Sequence, residues 1–362
     1  MVENLKIVHC GIFNEKENGN FFYGLERKIS HGLIQNGHFV YDFSYRDIER
    51  NFRFMGIKDS GLKKMNQKLI DICKNIDIDI LFLAKSEKIE KETLIRIKEL
   101  LPNVKIIQWY VDHLEEDEAF FDKLNYIDIF YYANAKDLEK LSEKYKNTIF
   151  SFFPNISDPS FDKSINLEKT NDILYIARDH KEDIRSKFAV LLKEFCEKEN
   201  ISYEIFASLN NPPVFGNEFH KAIARAKIAI NFNRDDYLEK INKEKVLGAS
   251  DRMAQFLGSG ICTFSPRING FEKLYVEDQE IVYFDNINDC LNKMKCYLKE
   301  GKYNEIARKG QKKTFALTNS KRVTKFMLEV LFKEDKLDKY EWNEYIFKEG
   351  KKYDNFTYIT LG

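Results

Sequence analysis

The sequence has no paired cysteines of the CxxC kind. Its six cysteines (Cys10, Cys73, Cys196, Cys262, Cys290 and Cys296) are scattered over 362 residues. That spacing offers no metal knuckle, and several of them sit in apolar runs as small hydrophobes, as in a reducing compartment. Neither sign of charge dominates: 58 Lys and Arg stand against 58 Asp and Glu. Nothing in that balance argues for a general nucleic-acid or membrane-surface binder. No uncharged apolar run approaches bilayer length. The start, MVENLKIVHCGIF, carries an acid early and reads as a first strand rather than a signal peptide. No GxGxxG follows that strand, so a dinucleotide cofactor is not expected. GxxxxGK[ST] and GxSxG are also missing, which removes a P-loop and a nucleophile elbow. The six histidines do not cluster at metal-ligand spacing, and no repeat or low-complexity tract is visible.

What is present is a chain long enough for two domains, with 43% hydrophobic and 14% aromatic residues to fill two cores. Strand-like and helix-like segments alternate from the start. LKIVHCGIF (5–13) is a buried strand, GLERKISHGLIQNG (24–37) a helix with a glycine stop, and HFVYDFS a second strand. A helix near 61–75, the strand DILFLA, the helix KETLIRIKELL and the strand VKIIQWYVD follow, then DIFYYAN and TIFSFF with a helix between. Strands separated by helices of this length imply a parallel sheet covered on both faces. The proline-bearing stretch from 154 to 172 breaks the rhythm, and the alternation restarts with DILYIA, a long helix from 181, SYEIFA, EFHKAIARA and KIAINFN. The expected fold is α/β, with two Rossmann-like doubly wound domains facing each other across a cleft. Domain one spans 1–155, a linker 156–170, domain two 171–332, and a partly helical tail 333–362.

Ligands of such sheets bind at the carboxyl ends of the strands, so candidate residues should lie there. In the first half these are the polar loop 14–24, Tyr45 and Arg46, Lys85 and Ser86, and Asp112 with His113. A carboxylate beside an imidazole can act as general base; equally, Asp112 can cap the next helix and His113 be a solvated loop residue. In the second half Arg178-Asp179-His180 follows a strand, with Arg185 one turn further on. Guanidinium groups near a helix start suit a pyrophosphate, while Asp179 alone suits an ordinary cap. Asn231, Asn233 and Arg234 end another strand. ASDRMAQFLGSG then opens a short helix with Ser250 as N-cap. The amides of Asp251, Arg252 and Met253 lead that helix, and Gly258 and Gly260 end it. Asp251 caps or contacts a sugar hydroxyl. Asp77-Ile-Asp79 precedes a strand and reads as turn, and Asp235-Asp236 has no His or Glu partner at ligand spacing.

Several of these segments together resemble the GT-B glycosyltransferases of the group that includes the spore-maturation CgeB-like proteins, over about residues 20–330. They are QWYVDHLEEDEAFFDKLNYIDIFYYAN (a W-x-x-D segment, then Tyr-x-Asp), FFPNISDPSF, HKAIARAKIAINFNR, SDRMAQFLGSGICTF, GFEKLYVEDQEIVYFD and IARKGQKKTFALTNSKR. The resemblance implies a nucleotide diphosphate sugar donor held mainly by domain two. Its acceptor, a glycan or lipid-linked glycan, is held mainly by domain one. Arg178 and Arg252 would face the pyrophosphate, with Ser250 and Asp251 at the helix start. Asp112 falls on the W-x-x-D aspartate. Two positions depart from the pattern: Gln255 stands where the group has a ribose-binding glutamate, and Leu247 where the retaining branch has another. The expected activity is sugar transfer to a hydroxyl of a bacterial cell-surface glycan (capsule, lipooligosaccharide or similar), with no cofactor and no metal ion. The expected location is cytoplasmic, with a peripheral membrane contact through the basic-aromatic tail and no nucleic-acid partner. A non-catalytic binding homologue, or a sugar-nucleotide epimerase or hydrolase, is the alternative.

Overall fold

The computed structural model describes residues 4–112, 114, 121–178, 184–232, 246–332 and 337–353. The chain divides into two compact units: Met1–Pro154 with Ser320–Gly362, and Asn155–Asn319.

In the first unit, apolar runs buried on both faces make the strands. β1 (Lys6–Gly11), β3 (Ile80–Ala84), β4 (Lys105–Tyr110), β5 (Ile129–Tyr132) and β6 (Ile149–Phe152) are buried almost throughout. β2 (Phe39–Ser44) alternates exposed with half-buried residues over its first four positions. These six strands pair in parallel in the order β6-β5-β4-β3-β1-β2, with Lys6 opposite Phe39 and Ile7 opposite Ile80. The helices between them are α1 (Leu25–Gln35), α2 (Tyr45–Asn51), α3 (Leu62–Ile76), α4 (Lys91–Leu100) and α5 (Leu138–Lys144). α3 shows how the pattern works: Met65, Leu69 and Cys73 recur on its buried face, while Lys63, Lys64 and Lys68 are exposed. It ends at Asp77, in the left-handed region at φ 56°, and Asp79 accepts the Lys6 amide at 2.7 Å. Both aspartates are therefore turn residues, as their place before a strand suggests.

The second unit holds β7 (Asn171–Ile176), α6 (Ile184–Glu199), β8 (Tyr203–Phe206), α7 (Gly216–Arg225), β9 (Ala226–Ile230), α8 (Asp251–Ser259), β10 (Cys262–Pro266), β11 (Val282–Phe284), α9 (Ile287–Glu300) and α10 (Tyr303–Leu317). Its strands are all parallel, ordered β11-β10-β9-β7-β8. Tyr175, Phe188, Phe232, Phe264 and Phe284 belong to the core of this sheet. The chain runs from β7 to β8 on one side and then to β9 on the other, so the strand order reverses between β7 and β9. A doubly wound sheet opens a crevice at such a reversal, beyond the carboxyl ends of the strands.

Two boundaries differ from the sequence reading. The expected linker, 156–170, packs into the second unit from its first residues. Ser157 N donates to Thr318 O (3.1 Å), Asp158 and Asp162 are fully buried, and a Cβ at Gly258 would meet Ser157 Oγ at 2.3 Å. The other boundary falls at Asn319 rather than at 332. α11 (Ser320–Phe332) lies against α1, where a Cβ at Gly32 would come within 2.3 Å of Ser320 O. Asn36 Nδ2 donates to Lys321 O (2.9 Å), and Tyr131 OH donates to Met327 O (2.7 Å). The tail, expected to be partly helical, has a short 3-10 turn (Leu337–Lys339) and then adds strands. β12 (Ile346–Lys348) pairs antiparallel with β6, Phe347 opposite Phe150, and β13 (Lys351–Lys352) pairs with β12. Tyr340, Trp342, Phe347 and Tyr353 are all buried. The aromatic residues expected to touch a membrane are thus part of this unit's own core through residue 353.

Candidate functional site

In the second unit, five of the sequence candidates come together around the start of α8. Ser250 has the extended backbone of an N-cap (φ −85°, ψ 153°), but its hydroxyl does not cap the helix. It donates instead to Asn231 Oδ1 at 2.7 Å, tying the helix start to the end of β9. Met253 N closes the first turn on Ser250 O at 3.0 Å, so the leading amides of the helix are those of Asp251 and Arg252. Asn155 Nδ2 donates to Ala249 O at 2.6 Å and fixes the approach to the helix. Gly260, at φ 72°, ends it, as glycine at that position should. Gly258, expected to share that role, lies within the helix and admits Ser157 instead.

Asn231 is fully buried; its amide Nδ2 has no hydrogen-bond partner among the described residues. A buried donor left unmade costs about 1–3 kcal/mol, which a ligand acceptor or water removes. Arg252 is half-buried, with Nη1 at 3.5 Å from Phe232 O. Burial pulls its pKa below the usual arginine value; nearby Arg185 adds to that effect, while Tyr175 and Asp251 oppose it. Arg185 is itself buried in the first turn of α6, and its carbonyl accepts from Tyr175 OH at 3.2 Å. Two guanidinium groups are thus within electrostatic reach of each other beside a helix start, an arrangement that an anion relieves. Arg178 is exposed, two residues beyond β7. Gln255 is half-buried one turn along α8 from Arg252, and Leu247 is buried at φ 58°. Arg234, Asn233, Asp179, His180, Asp235 and Asp236 lie outside the described residues.

In the first unit Asp112, just past β4, accepts from Lys85 Nζ at 2.6 Å; Lys85 follows β3, the next strand. Lys85 and Ser86 both adopt left-handed backbone (φ 43° and 57°) although neither is glycine. Such consecutive strain at a strand end is kept where the chain must turn sharply to present a side chain. Gln108 Nε2 donates to Lys85 O (3.2 Å) and holds the turn. His113 lies outside the described residues. Tyr45 and Arg46, which follow β2, both bind Glu87, Arg46 through Nε at 2.8 Å. Arg46, Asp59, Leu62, Glu87, Lys88 and Lys123 are among the residues around a cavity of about 660 Å³. Lys123 is buried and donates to Ser86 O (2.7 Å) and Ile89 O (2.8 Å), and burial lowers its pKa to about 8.

Beneath these loops His9 is sealed in the core of the first unit. Its Nδ1 bonds Ser30 Oγ (2.8 Å), and its Nε2 accepts from Trp109 Nε1 (3.3 Å). Burial, reinforced by Arg27, lowers its pKa from 6.5 to about 3. The folded state therefore holds His9 neutral, and the stability this confers is whole above pH 6.5 and lost as pH falls towards 3. From pH 6.5 to about 4.5 the native protein is expected to lose about 2 kcal/mol more than a His9→Gln variant. Urea unfolding of both proteins at the two pH values measures this; parallel losses would show that His9 titrates in the folded state as it does unfolded.

Comparisons with known proteins bear on the fold and on the class of activity. Residues 178–329 match the profile of a family described as glycosyl transferase-like. No curated protein matches the chain by sequence. Among solved structures, AviGT4, a glycosyltransferase involved in avilamycin A biosynthesis, is 10% identical with a TM-score of 0.58, over 91% of this chain and 97% of that one. A glycosyltransferase from Rickettsia africae is 10% identical with a TM-score of 0.56, over 91% and 98%. Anabaena HepE, in complex with UDP and glucose, is 9% identical with a TM-score of 0.55, over 91% and 100%. The fold is α/β with parallel sheets, two Rossmann-like units of the GT-B kind. With the family match over 178–329, these likenesses support a transferase.

Three contributors had little signal in the sequence. Tyr175 is inside a strand, Asn155 stood at the very end of what read as domain one, and Lys123 lay in what read as the helix that Asp112 could cap.

Proposed function

We propose that the protein transfers a sugar from a nucleoside diphosphate sugar to a hydroxyl of a glycan or lipid-linked glycan. The observation that carries this reading is the convergence of Arg185, Arg252 and the unpaired Asn231 amide at the start of α8, beside the strand-order reversal. As the bond between the anomeric carbon and the phosphate oxygen breaks, charge builds on the diphosphate. Arg252, Arg178 and the leading α8 amides offset that charge in place of a metal ion. Gln255 contacts the ribose, and Asp251 a sugar hydroxyl. In the first unit Asp112, held by Lys85, or His113 assists the acceptor hydroxyl if the reaction inverts. The CgeB-like grouping, a bacterial surface glycan as destination and a cytoplasmic site of action belong to this reading through the sequence motifs.

A thermal-shift titration against UDP, GDP, CMP, dTDP and ADP, with and without magnesium, tests it. One nucleotide at a thousand times its dissociation constant is expected to add about 4 kcal/mol of apparent stability, with or without magnesium. No shift with any of them would remove the donor site. Gln255 and the buried Leu247 favour a second reading, a homologue that binds nucleotide without turnover. A clear shift with no product from the matching nucleotide sugar would select it.

A further inference from the structure

The loop joining α2 to α3 exposes three neighbouring large apolar side chains: Phe54 is 68% exposed, Met55 86% and Ile57 58%. It is not a loose connection. Phe54 N donates to Ser60 Oγ (2.9 Å), Ser60 Oγ donates to Ile57 O (2.7 Å), and Ile57 N donates to Phe54 O (3.0 Å). At its base Arg53 binds Glu49 (2.7 Å), Asp59 accepts from Lys88 (2.5 Å), and Gly61 lets the chain pass so close that a Cβ there would meet Glu49 O at 2.1 Å. The backbone thus closes on itself and turns its apolar side chains outward. In water that arrangement gains nothing from the hydrophobic effect, which marks such a patch as a contact surface.

The charge around the tip indicates what covers it. Lys58 continues the loop, and Lys63 and Lys64 follow in the first turn of α3; all three are exposed and have no carboxylate partner among the described residues. Lys68 lies on the next turn, 5.6 Å from the Phe52 ring. The acids close by are engaged, Glu49 with Arg53 and Lys88, Asp59 with Lys88, and Asp71 with Gln67. An apolar tip with unpaired lysines beside it complements a bilayer of anionic lipid, which takes the side chains below the headgroups and pairs the ammonium groups at their level. We infer that the first unit docks on an anionic membrane through residues 54–57, with Lys58, Lys63 and Lys64 on the headgroups. Lys58, Asp59 and Leu62 also border the cavity of the first unit, so docking here brings the lipid surface to residues of that cavity. The chain's zero net charge does not oppose this, because the lysines act locally, within a Debye length of the surface.

Co-sedimentation of the full chain with vesicles tests the inference independently of any nucleotide. The native protein is expected to pellet with phosphatidylglycerol-rich vesicles and to stay in solution with phosphatidylcholine alone. Phe54→Ser/Met55→Ser/Ile57→Ser and Lys63→Glu/Lys64→Glu are each expected to weaken binding at least about 10-fold, with unchanged melting temperatures because every replaced side chain is exposed. Native protein that stays in solution with both vesicles would overturn the inference. So would a folded apolar variant that pellets as the native protein does. A concentration-dependent dimer that the apolar variant abolishes, without vesicle binding, would assign the tip to a second copy of the chain instead.

Discussion

Arg252→Ala is expected to lower kcat/KM for the nucleotide sugar by about 100-fold or more, the usual cost of removing one preorganised donor to a developing anion. The loss should fall on kcat at least as much as on KM, because charge on the diphosphate is greatest as the glycosyl bond breaks. Arg252 is suited to this role by where it stands. Its head is buried enough to disfavour its own charge, and Arg185 nearby disfavours it further. An incoming diphosphate therefore meets cations that gain from its arrival. Arg252→Lys should recover only part of the activity, since an ammonium lacks the planar fork that meets two phosphate oxygens together. Steady-state kinetics with the donor selected by thermal shift decides the matter. Unchanged turnover in the alanine variant would sink the phosphate assignment and leave Arg252 as packing at the helix start.

Trp342→Ala should cost the first unit about 3–5 kcal/mol, the range for emptying a large aromatic from a core. Trp342 is fully buried, with its ring edge-on to Phe326 at 5.6 Å and tilted against Tyr340 at 5.7 Å. Arg322 lies 5.1 Å from the same ring. The substitution leaves untouched every residue assigned to the nucleotide, so urea unfolding should show a lower midpoint while the nucleotide-induced shift of the second unit persists. A midpoint equal to that of the native protein would mean that 337–353 contributes nothing to the cooperative unfolding of the first unit.

The parallel strands of both sheets were legible because strands buried on two faces have to be continuous apolar runs, as ILFLA and ILYI are. The return of the chain to the first unit was not. EWNEYIFKEGKK is dense in charge and aromatics and reads as part of a partly helical tail, and its strand identity comes from pairing with β6, far earlier in the chain. Contacts of that range leave no periodicity to read. The start of α8 was legible for the opposite reason: Ser-Asp-Arg before a short apolar stripe, with glycine after it, is local punctuation. What local punctuation could not give is where the Ser250 hydroxyl points, since that depends on β9 ending beside it at Asn231. Lys85 and Asp112 were each visible as residues after strands; their pairing depends on β3 and β4 being neighbours in register.

The division of the chain also bears on how the protein is made. Residues 1–154 leave the ribosome without α11 and β12, and the 166 residues up to Ser320 must follow before either is available (320 minus 154). At ~5–20 residues per second that interval lasts roughly 10–30 s. Throughout it, the glycine-notched face of α1 and the outer edge of β6 lack their coverings. An open strand edge of this kind is a template for pairing with the wrong chain. The nascent first unit is thus the stage at which the protein most needs a chaperone, and slower elongation through the second unit should lower soluble yield rather than raise it.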